Sequence, residues 1–521
     1  MIRHSSNTSE SWKNLPWKKF RRELFRLQVR LFKAVKAGDM RKARSLQKLI
    51  LKSQAARFLA IRQVTQLNAG KKTAGIDRKA SLSHEERFQL EELLKNHYLN
   101  WHHSKLREIP IPKKNGKTRI LKVPTIADRA WQCLAKYALE PAHEATFHAK
   151  SYGFRPGRSA HDALKATFSN LNSKANGINK RVLEIDIEKC FDRINHTTIM
   201  DNLIAPKSLK IGIFRCLKAG IHPDFPEQGT PQGGVVSPLL ANIALNGVES
   251  AHRYHRNGFK ISPKTAAKDI MEPCIRYADD MIIMLRPEDN AEEILEKVSQ
   301  FLTERGMSIS KEKTKVTAST EGFNFLGWHI KVQSNGKFNC VPSEDNYKTF
   351  RKKVKAIVKC SNYGSKEKAE KLAPLVRGWR NYHKLCSLRG SRFSLWHTNN
   401  AAFKKFNREK GNTKESSTEL IKKAFPRTPK SEYIIVQGNK SPYDGDITYW
   451  SERNSKLYQN ETSKALKRQN HTCGYCNMKM LSGETVHLHH IDSNHSNWKT
   501  NNLTAVHESC HDYIHMSKGK P

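Results

Sequence analysis

The stretch Ile275-Arg276-Tyr277-Ala278-Asp279-Asp280-Met281-Ile282-Ile283-Met284 sets two adjacent carboxylates between two short apolar runs. This is the pattern of a β-hairpin with acids at its tip, where aspartate bonds nearby backbone and tolerates unusual turn dihedrals. Adjacent like charges repel, so the pair implies a cation, although a solvated acidic turn is the plainer reading of the tetrapeptide alone. Upstream, Val182-Leu183-Glu184-Ile185-Asp186-Ile187 alternates as a strand, with Leu183, Ile185 and Ile187 on one face and Glu184 and Asp186 on the other. A carboxylate at the end of one strand and two on a separate hairpin can converge in space. Three such acids can hold two Mg²⁺ ions about 3.5–4 Å apart, one activating an attacking 3′ hydroxyl and the other steadying pyrophosphate.

Composition widens this reading. The chain has 521 residues, room for several domains, and its 92 lysines and arginines against 49 acids leave a formal charge of +43. Such an excess opposes compaction unless a polyanion neutralises it, which points to nucleic acid, with a membrane surface as the rival reading. The basic residues are spread along the whole length, as contact over a large RNA or DNA surface requires. The absence of a long apolar run argues against a spanning helix, and the N-terminus has no signal-peptide core. Of ten cysteines only Cys473, Cys476 and Cys510 lie together, so the spacing suggests a reducing compartment and one metal site.

Residues 10–66 read as basic and helical, with Leu24, Leu31 and Ala34 among lysines and arginines. In Ile109-Pro110-Ile111-Pro112-Lys113-Lys114-Asn115-Gly116-Lys117-Thr118-Arg119-Ile120, Asn-Gly between β-prone runs predicts a hairpin. It sets Lys113 and Arg119 on opposite arms, suited to gripping a triphosphate, although a basic hairpin taken by itself is more often a solvated surface loop. Asp128 is expected to cap a helix that Pro141 stops. Ser151-Tyr152-Gly153-Phe154-Arg155-Pro156-Gly157-Arg158-Ser159 reads as a loop able to hold a nucleic-acid backbone, or as a packed turn. Gly229-Thr230-Pro231-Gln232-Gly233-Gly234 allows close approach to its backbone, and Ser237-Pro238 starts a helix. Asn290 and Glu293 form a capping box for a helix ending at Gly306. Further on, 409–432 reads as a linker and 441–450 as a turn leading into an aromatic strand.

Taken in order, Lys-Asn-Gly-Lys-Thr-Arg, Ser-Tyr-Gly-Phe-Arg-Pro-Gly-Arg-Ser, Asp-Ile-x-x-x-Phe-Asp, Gly-Thr-Pro-Gln-Gly-Gly-x-x-Ser-Pro and Tyr-Ala-Asp-Asp closely resemble the reverse transcriptases of bacterial group II introns. Gly306-Met307-Ser308-Ile309-Ser310-Lys311-Glu312-Lys313-Thr314-Lys315-Val316 and Phe323-Asn324-Phe325-Leu326-Gly327-Trp328 extend the match. One departure is Ile120-Leu121-Lys122-Val123-Pro124 where the family commonly has Pro-Leu-Gly-Ile-Pro. The resemblance implies an α+β multidomain protein: right-hand polymerase fingers and palm, an α-helical thumb (maturase domain X) and a small ββα-metal HNH domain. It assigns 1–66 to a basic extension, 67–335 to fingers and palm, 336–408 to domain X, 409–464 to a linker or DNA-binding region, and 465–521 to the nuclease. Asp186, Asp279 and Asp280 would then ligate two Mg²⁺, and Phe191 would pack under the incoming sugar and exclude a 2′ hydroxyl. Gln232 would line the nucleotide pocket, while Lys113 and Arg119 hold the triphosphate. Leu372-Ala373-Pro374-Leu375-Val376-Arg377-Gly378-Trp379-Arg380-Asn381-Tyr382-His383 resembles domain X and is otherwise a basic amphipathic helix.

At the C-terminus, Cys473-Gly474-Tyr475-Cys476 and His507-Glu508-Ser509-Cys510 are two ligand pairs with two-residue spacers, a tetrahedral Zn²⁺ pattern. The surrounding histidines resemble HNH endonucleases. There His490 would be the general base, His489, His511 and His515 would bind a catalytic divalent metal, and Asn502 would orient His490 through its backbone. His507, His511 and His515 share one spacing, so spacing alone does not divide them between the two metals. A zinc knuckle that binds DNA without cutting is the alternative.

The family implies a multifunctional intron-encoded protein. Its activities would be RNA-directed DNA polymerase, maturase for its own intron RNA, and nuclease nicking double-stranded target DNA so that dNTPs extend the new end in retrohoming. No membrane association is implied, and the expected site is the bacterial cytoplasm and nucleoid, or an organelle. A splicing-only maturase and a reverse transcriptase of a retron or defence element are the competing readings.

Overall fold

The computed structural model describes residues 8–112, 116, 118–219, 227–252, 274–388, 395–409, 416–426, 433–458, 460–480 and 486–517. Lys113 and the tip residue Asn115 lie outside them. The basic N-terminal region is four helices, Thr8–Lys13, Trp17–Lys36, Met40–Lys52 and Gln54–Arg62. Local chemistry sets the breaks: Pro16 precedes the second helix, Asp39 accepts from the Lys42 amide to cap the third, and Ser53 accepts from the Ala56 amide to cap the fourth.

The last three of these helices pack around Ile126–Glu144, whose ends differ from expectation. Thr125, not Asp128, is the cap, and Pro141 sits inside the helix. Asp128 is instead buried, accepting from Trp101 Nε1 (2.9 Å), the Ser104 amide (3.2 Å) and Thr125 Oγ1 (2.8 Å). Pro141 is tolerated because the Tyr137 carbonyl, which it leaves without a helical donor, accepts from Gln28 Nε2 of a neighbouring helix (3.3 Å).

The strands are β1 (Arg107–Pro112), β2 (Thr118–Val123), β3 (Arg181–Ile185), β4 (Ile275–Tyr277), β5 (Asp280–Leu285), β6 (Lys315–Ala318), β7 (Phe323–Phe325), β8 (Trp328–Val332), β9 (Phe338–Pro342), β10 (Val486–His490) and β11 (Leu503–His507). The central antiparallel sheet runs β4-β5-β3-β6. Leu183, Ile185, Met281 and Ile283 face a core shared with the N-terminal helices. Val182, Ile275, Ile282 and Met284 face a second core with the helix Ala160–Leu171 and the β7-β8-β9 sheet. Both faces of β5 are therefore covered, which is why its sequence is an unbroken apolar run.

The helix after Ser237-Pro238 begins at Ser237 itself, with Val236 in the cap position and no side-chain cap. Asn290 caps Ala291–Thr303 as expected, but Glu293 holds Lys297 (2.6 Å), so the reciprocal half of the box is absent. Four helices, Glu344–Lys359, Ser365–Tyr382, Trp396–Arg408 and Ser417–Ala424, close on a separate core containing Phe350, Val354, Leu372, Val376, Phe406 and Leu420. The last lies in the stretch expected to be a linker; Ser416 and Glu419 form its capping box, and its apolar face completes the bundle.

The segment 433–453 is likewise no loose tether. Tyr443 Oη donates to Glu140 (2.8 Å), Arg158 donates to the Gly438 carbonyl (2.8 Å), and Arg453 pairs with buried Asp162 (3.1 Å). In place of an aromatic strand, Ile447–Leu457 is a helix, because Asp446 accepts from the Tyr449 amide and begins it. The C-terminal unit is the β10–β11 hairpin followed by the helix Glu508–Ser517. No described helix is long and apolar enough to cross a membrane.

Candidate functional site

Tyr277 pairs with Asp280 across β4 and β5, leaving Ala278-Asp279 as a two-residue turn. Ala278 takes a φ of +59°, a conformation costly for a residue with a Cβ. A buried cation holds it there. Arg276, inaccessible to solvent, donates to Glu249 (2.6 Å), Asn242 Oδ1 (2.9 Å), the Ala278 carbonyl (3.0 Å) and Ser151 Oγ (2.8 Å). Burial works against the ionised form of Glu249, yet adjacent Arg276 keeps its carboxyl below the usual range. Local sequence pattern assigns neither residue a role. The signal was Arg276 itself, a charge inside an apolar strand, but its partners lie far away along the chain. Removing one member of such a pair strands a buried charge, so Glu249→Gln is expected to lower unfolding free energy by about 3–5 kcal/mol in a denaturant titration.

Ile185 pairs with Met281, so the next residue on β3's path, Asp186, lies beside Asp280. Asp280 is exposed by area, but protein atoms crowd its carboxylate; this crowding first, then Asp279 and Asp186, raises its pKa to about 6 against the opposing pull of Lys313. Lys313 Nζ lies 3.1 Å from both Asp186 oxygens. The three sequence-predicted aspartates are thus brought together as neighbours, with a lysine as counter-ion to one of them. Concentrated oxygen donors whose charges oppose one another fit Mg²⁺.

The β1–β2 hairpin docks on the glycine-rich loop. Arg119 Nε donates to Gln232 Oε1, and the Lys122 amide donates to the Gln232 carbonyl (2.8 Å). Gly233, at φ +127°, packs so close that a Cβ would sit 2.7 Å from the Lys122 carbonyl oxygen. Half-buried Phe191 accepts through its carbonyl from the Thr230 amide (2.7 Å) of that loop. The loop 151–159 differs from the nucleic-acid grip allowed by its sequence. Arg155 and Arg158 are buried; Arg155 forks onto Glu144 (2.8 and 3.0 Å), so their charge is spent inside the protein.

Among the described residues, two clusters bring three or more potential ligand atoms within 4.8 Å of one another, and both are C-terminal. Cys473, Cys476, His507 and Cys510 form a buried set, in which His507 Nδ1 lies 3.4 Å from Cys476 Sγ. Hydrogen bonds from Cys476 and then Cys510 draw the Cys473 thiol far down, while Cys510 is driven up. Three cysteine sulfurs and one imidazole converging in a buried set are the donors that suit a thiophilic cation. His489, His511 and His515 form the other set, with His511 and His515 Nε2 atoms 3.2 Å apart. Burial first, then His515, His487 and His489, lower His511 to about 4, leaving a neutral imidazole fit for a divalent metal. The ambiguity in spacing is thereby divided: His507 faces the cysteines, and His511 and His515 face His489. His490 is buried between His495 and Trp498, its Nε2 without a protein partner, and the Asn502 carbonyl accepts from the next amide, Ile491 (2.8 Å).

Comparison with known proteins bears on the polymerase-like part. Residues 111–330 match the profile of reverse transcriptase (RNA-dependent DNA polymerase), 12–94 the N-terminal domain of reverse transcriptase, and 347–423 the group II intron maturase-specific domain. Maturase-like protein 1 of Euglena gracilis is 39% identical over 416 residues, covering 80% of this chain and 86% of that protein. The chain belongs to the group II intron maturase and reverse transcriptase family. Maturase-like protein 1 of Euglena longa is 35% identical over 79% of this chain and 86% of that one. Group II intron-encoded protein LtrA of Lactococcus lactis is 31% identical over 44% of this chain and 47% of its own length. In family terms, Asp186, Asp279, Asp280, Arg119, Phe191 and Gln232 all fall in the reverse transcriptase region, and the bundle 347–423 is the maturase-specific domain. The matched profiles end at residue 423, before the two C-terminal clusters.

Proposed function

We propose that this chain copies its intron RNA into DNA, assists splicing of that RNA, and nicks target DNA to supply the primer. The observation that carries the polymerase reading is the strand register that sets Asp186 beside Asp280 on a turn braced by Arg276. Mg²⁺ bound there supplies activation of the primer 3′ hydroxyl and neutralisation of the pyrophosphate. The chain's own residues orient the reactants. Asp186, Asp279 and Asp280 hold the ions, Arg119 and Lys113 grip the triphosphate, Gln232 lines the nucleotide pocket, and Phe191 meets the sugar and excludes a 2′ hydroxyl. Lys313, which now pairs with both Asp186 oxygens, would have to give up that contact for Asp186 to hold a cation.

The metal-free Asp280 is ionised above about pH 6 and protonated below it. Proton and cation then compete for one carboxylate. The Mg²⁺ concentration for half-maximal primer extension should be flat above about pH 7 and rise by up to about tenfold per pH unit below 6. Initial rates across a Mg²⁺ titration at several pH values test this; a requirement independent of pH would sink it.

For the C-terminal unit, the reading is an HNH endonuclease with Zn²⁺ as a structural ion on Cys473, Cys476, His507 and Cys510. His489, His511 and His515 hold a second divalent metal, which steadies the scissile phosphate when bound. His490 Nε2, lacking a protein partner, takes the proton of the attacking water, and Asn502 holds the end of β10 in place. A nicking assay on double-stranded DNA, followed by extension of the nicked strand on intron RNA, tests the joined activities. The maturase-specific domain favours an intron RNA over a retron transcript as the partner. The nuclease clusters argue against a splicing-only protein.

A further inference from the structure

Phe154 stands apart from its loop. Ser151, Tyr152, Arg155 and Arg158 are buried, but Phe154 is 49% exposed and its backbone holds a φ of +56°. For a bulky residue that conformation is an outlier, and it persists only where the surroundings over-determine it. They do so here. Arg155 anchors one side through Glu144 and the carbonyls of His148 and Ser151. On the other, the Gly153 carbonyl accepts from Asn242 Nδ2 (2.9 Å), and a Cβ on Gly153 would lie 2.2 Å from the Ala278 nitrogen. Phe154 is thus pinned one residue from the aspartate turn. Its ring meets Phe191 edge-on, with centroids 6.3 Å apart and planes at 81°.

We propose that Phe154 is a positioning residue of the nucleotide pocket, its ring fixing the tilt of Phe191 and its exposed part forming a second wall against the sugar of the incoming deoxynucleoside triphosphate. The inference rests on the polymerase reading of the aspartates and on Phe191 as the residue meeting the sugar. A strained backbone holds the ring in the open, beside the side chain read as resisting a 2′ hydroxyl. Rings in edge-to-face contact hold one another at a defined angle. Without Phe154, Phe191 has room to tilt, and a 2′ hydroxyl can enter.

The test is single-nucleotide primer extension by the full chain, with a dNTP and the matching rNTP. Phe154→Ala is expected to raise KM for the dNTP and to cut the dNTP-over-rNTP ratio of kcat/KM by about tenfold, the scale on which apolar pockets discriminate. Phe154→Tyr restores both, and Phe154→Leu gives a smaller shift in the same direction. Template–primer KM and melting temperature stay unchanged. An unchanged ratio in both Phe154→Ala and Phe154→Leu, where Phe191→Ala loses it, would overturn the brace and leave the polymerase reading standing. A change confined to template–primer KM would also overturn it. Absence of extension by the wild type would overturn both readings.

Discussion

Asp279→Ala is expected to reduce RNA-templated primer extension by about 10³-fold or more, equivalent to ~4 kcal/mol of transition-state stabilisation. Asp279 sits at the tip of a turn whose backbone is held by Arg276 through the Ala278 carbonyl, so truncating its side chain removes a carboxylate without unlocking the hairpin. It also removes one of the two like charges that raise Asp280. The variant should therefore be at least as stable as the wild type while losing activity. Primer extension with saturating dNTP and Mg²⁺, beside a thermal melt, separates the two effects. Substantial extension by a folded Asp279→Ala protein would end the assignment of this turn as the polymerase centre. DNA nicking should persist in the same variant, because its residues lie in a separate unit.

The other large effect concerns the buried cysteine set. Cys476→Ser, or exposure to a strong chelator, should abolish DNA nicking and melt the C-terminal unit. That unit has a small apolar core, centred on Leu466, Met480, Ala505 and Val506, and Cys473, Cys476 and Cys510 are themselves part of it. A core of that size is marginal without a staple. Zn²⁺ in small domains contributes about 10–16 kcal/mol of apparent binding free energy, which is folding free energy when the unfolded chain has no preformed site. Metal analysis should find one equivalent of zinc lost in Cys476→Ser, with hydrogen exchange faster in 465–517 alone. Primer extension should survive, since the segment before this unit is tied independently through Arg453 and Asp162 and through Tyr443 and Glu140. Full nicking by zinc-free protein would reject the structural-zinc assignment.

What could be read from the residues alone was the chemistry imposed by local pattern. Alternation in 182–187 and the apolar run after Asp280 gave two strands of the central sheet, because side-chain period is a property of the backbone itself. The Cys473/Cys476 and His507/Cys510 pairs marked four residues that the fold does gather into one cluster, because two-residue spacing lets both members of a pair reach one point. The helical N-terminus, and Asn290 as a cap, follow from equally local rules.

The tertiary structure decided every question whose answer depends on a partner far along the chain. Arg155 and Arg158 look like phosphate ligands until Glu144 and the segment near Gly438 claim them. Pro141 should end a helix unless a distant glutamine serves the carbonyl it leaves open, and Gln28 does. The stretch 433–453 falls in the 409–464 region expected to be a linker or DNA-binding segment, because its anchors, Asp162 and Glu140, belong to other helices. Which histidine joins the cysteines was undetermined by equal spacing; pairing of β10 with β11 turned His507 inward and left His489 facing His511 and His515. A buried charge or an unmet carbonyl must find its complement wherever the fold brings one, and that pairing is a property of three-dimensional proximity that no local pattern encodes.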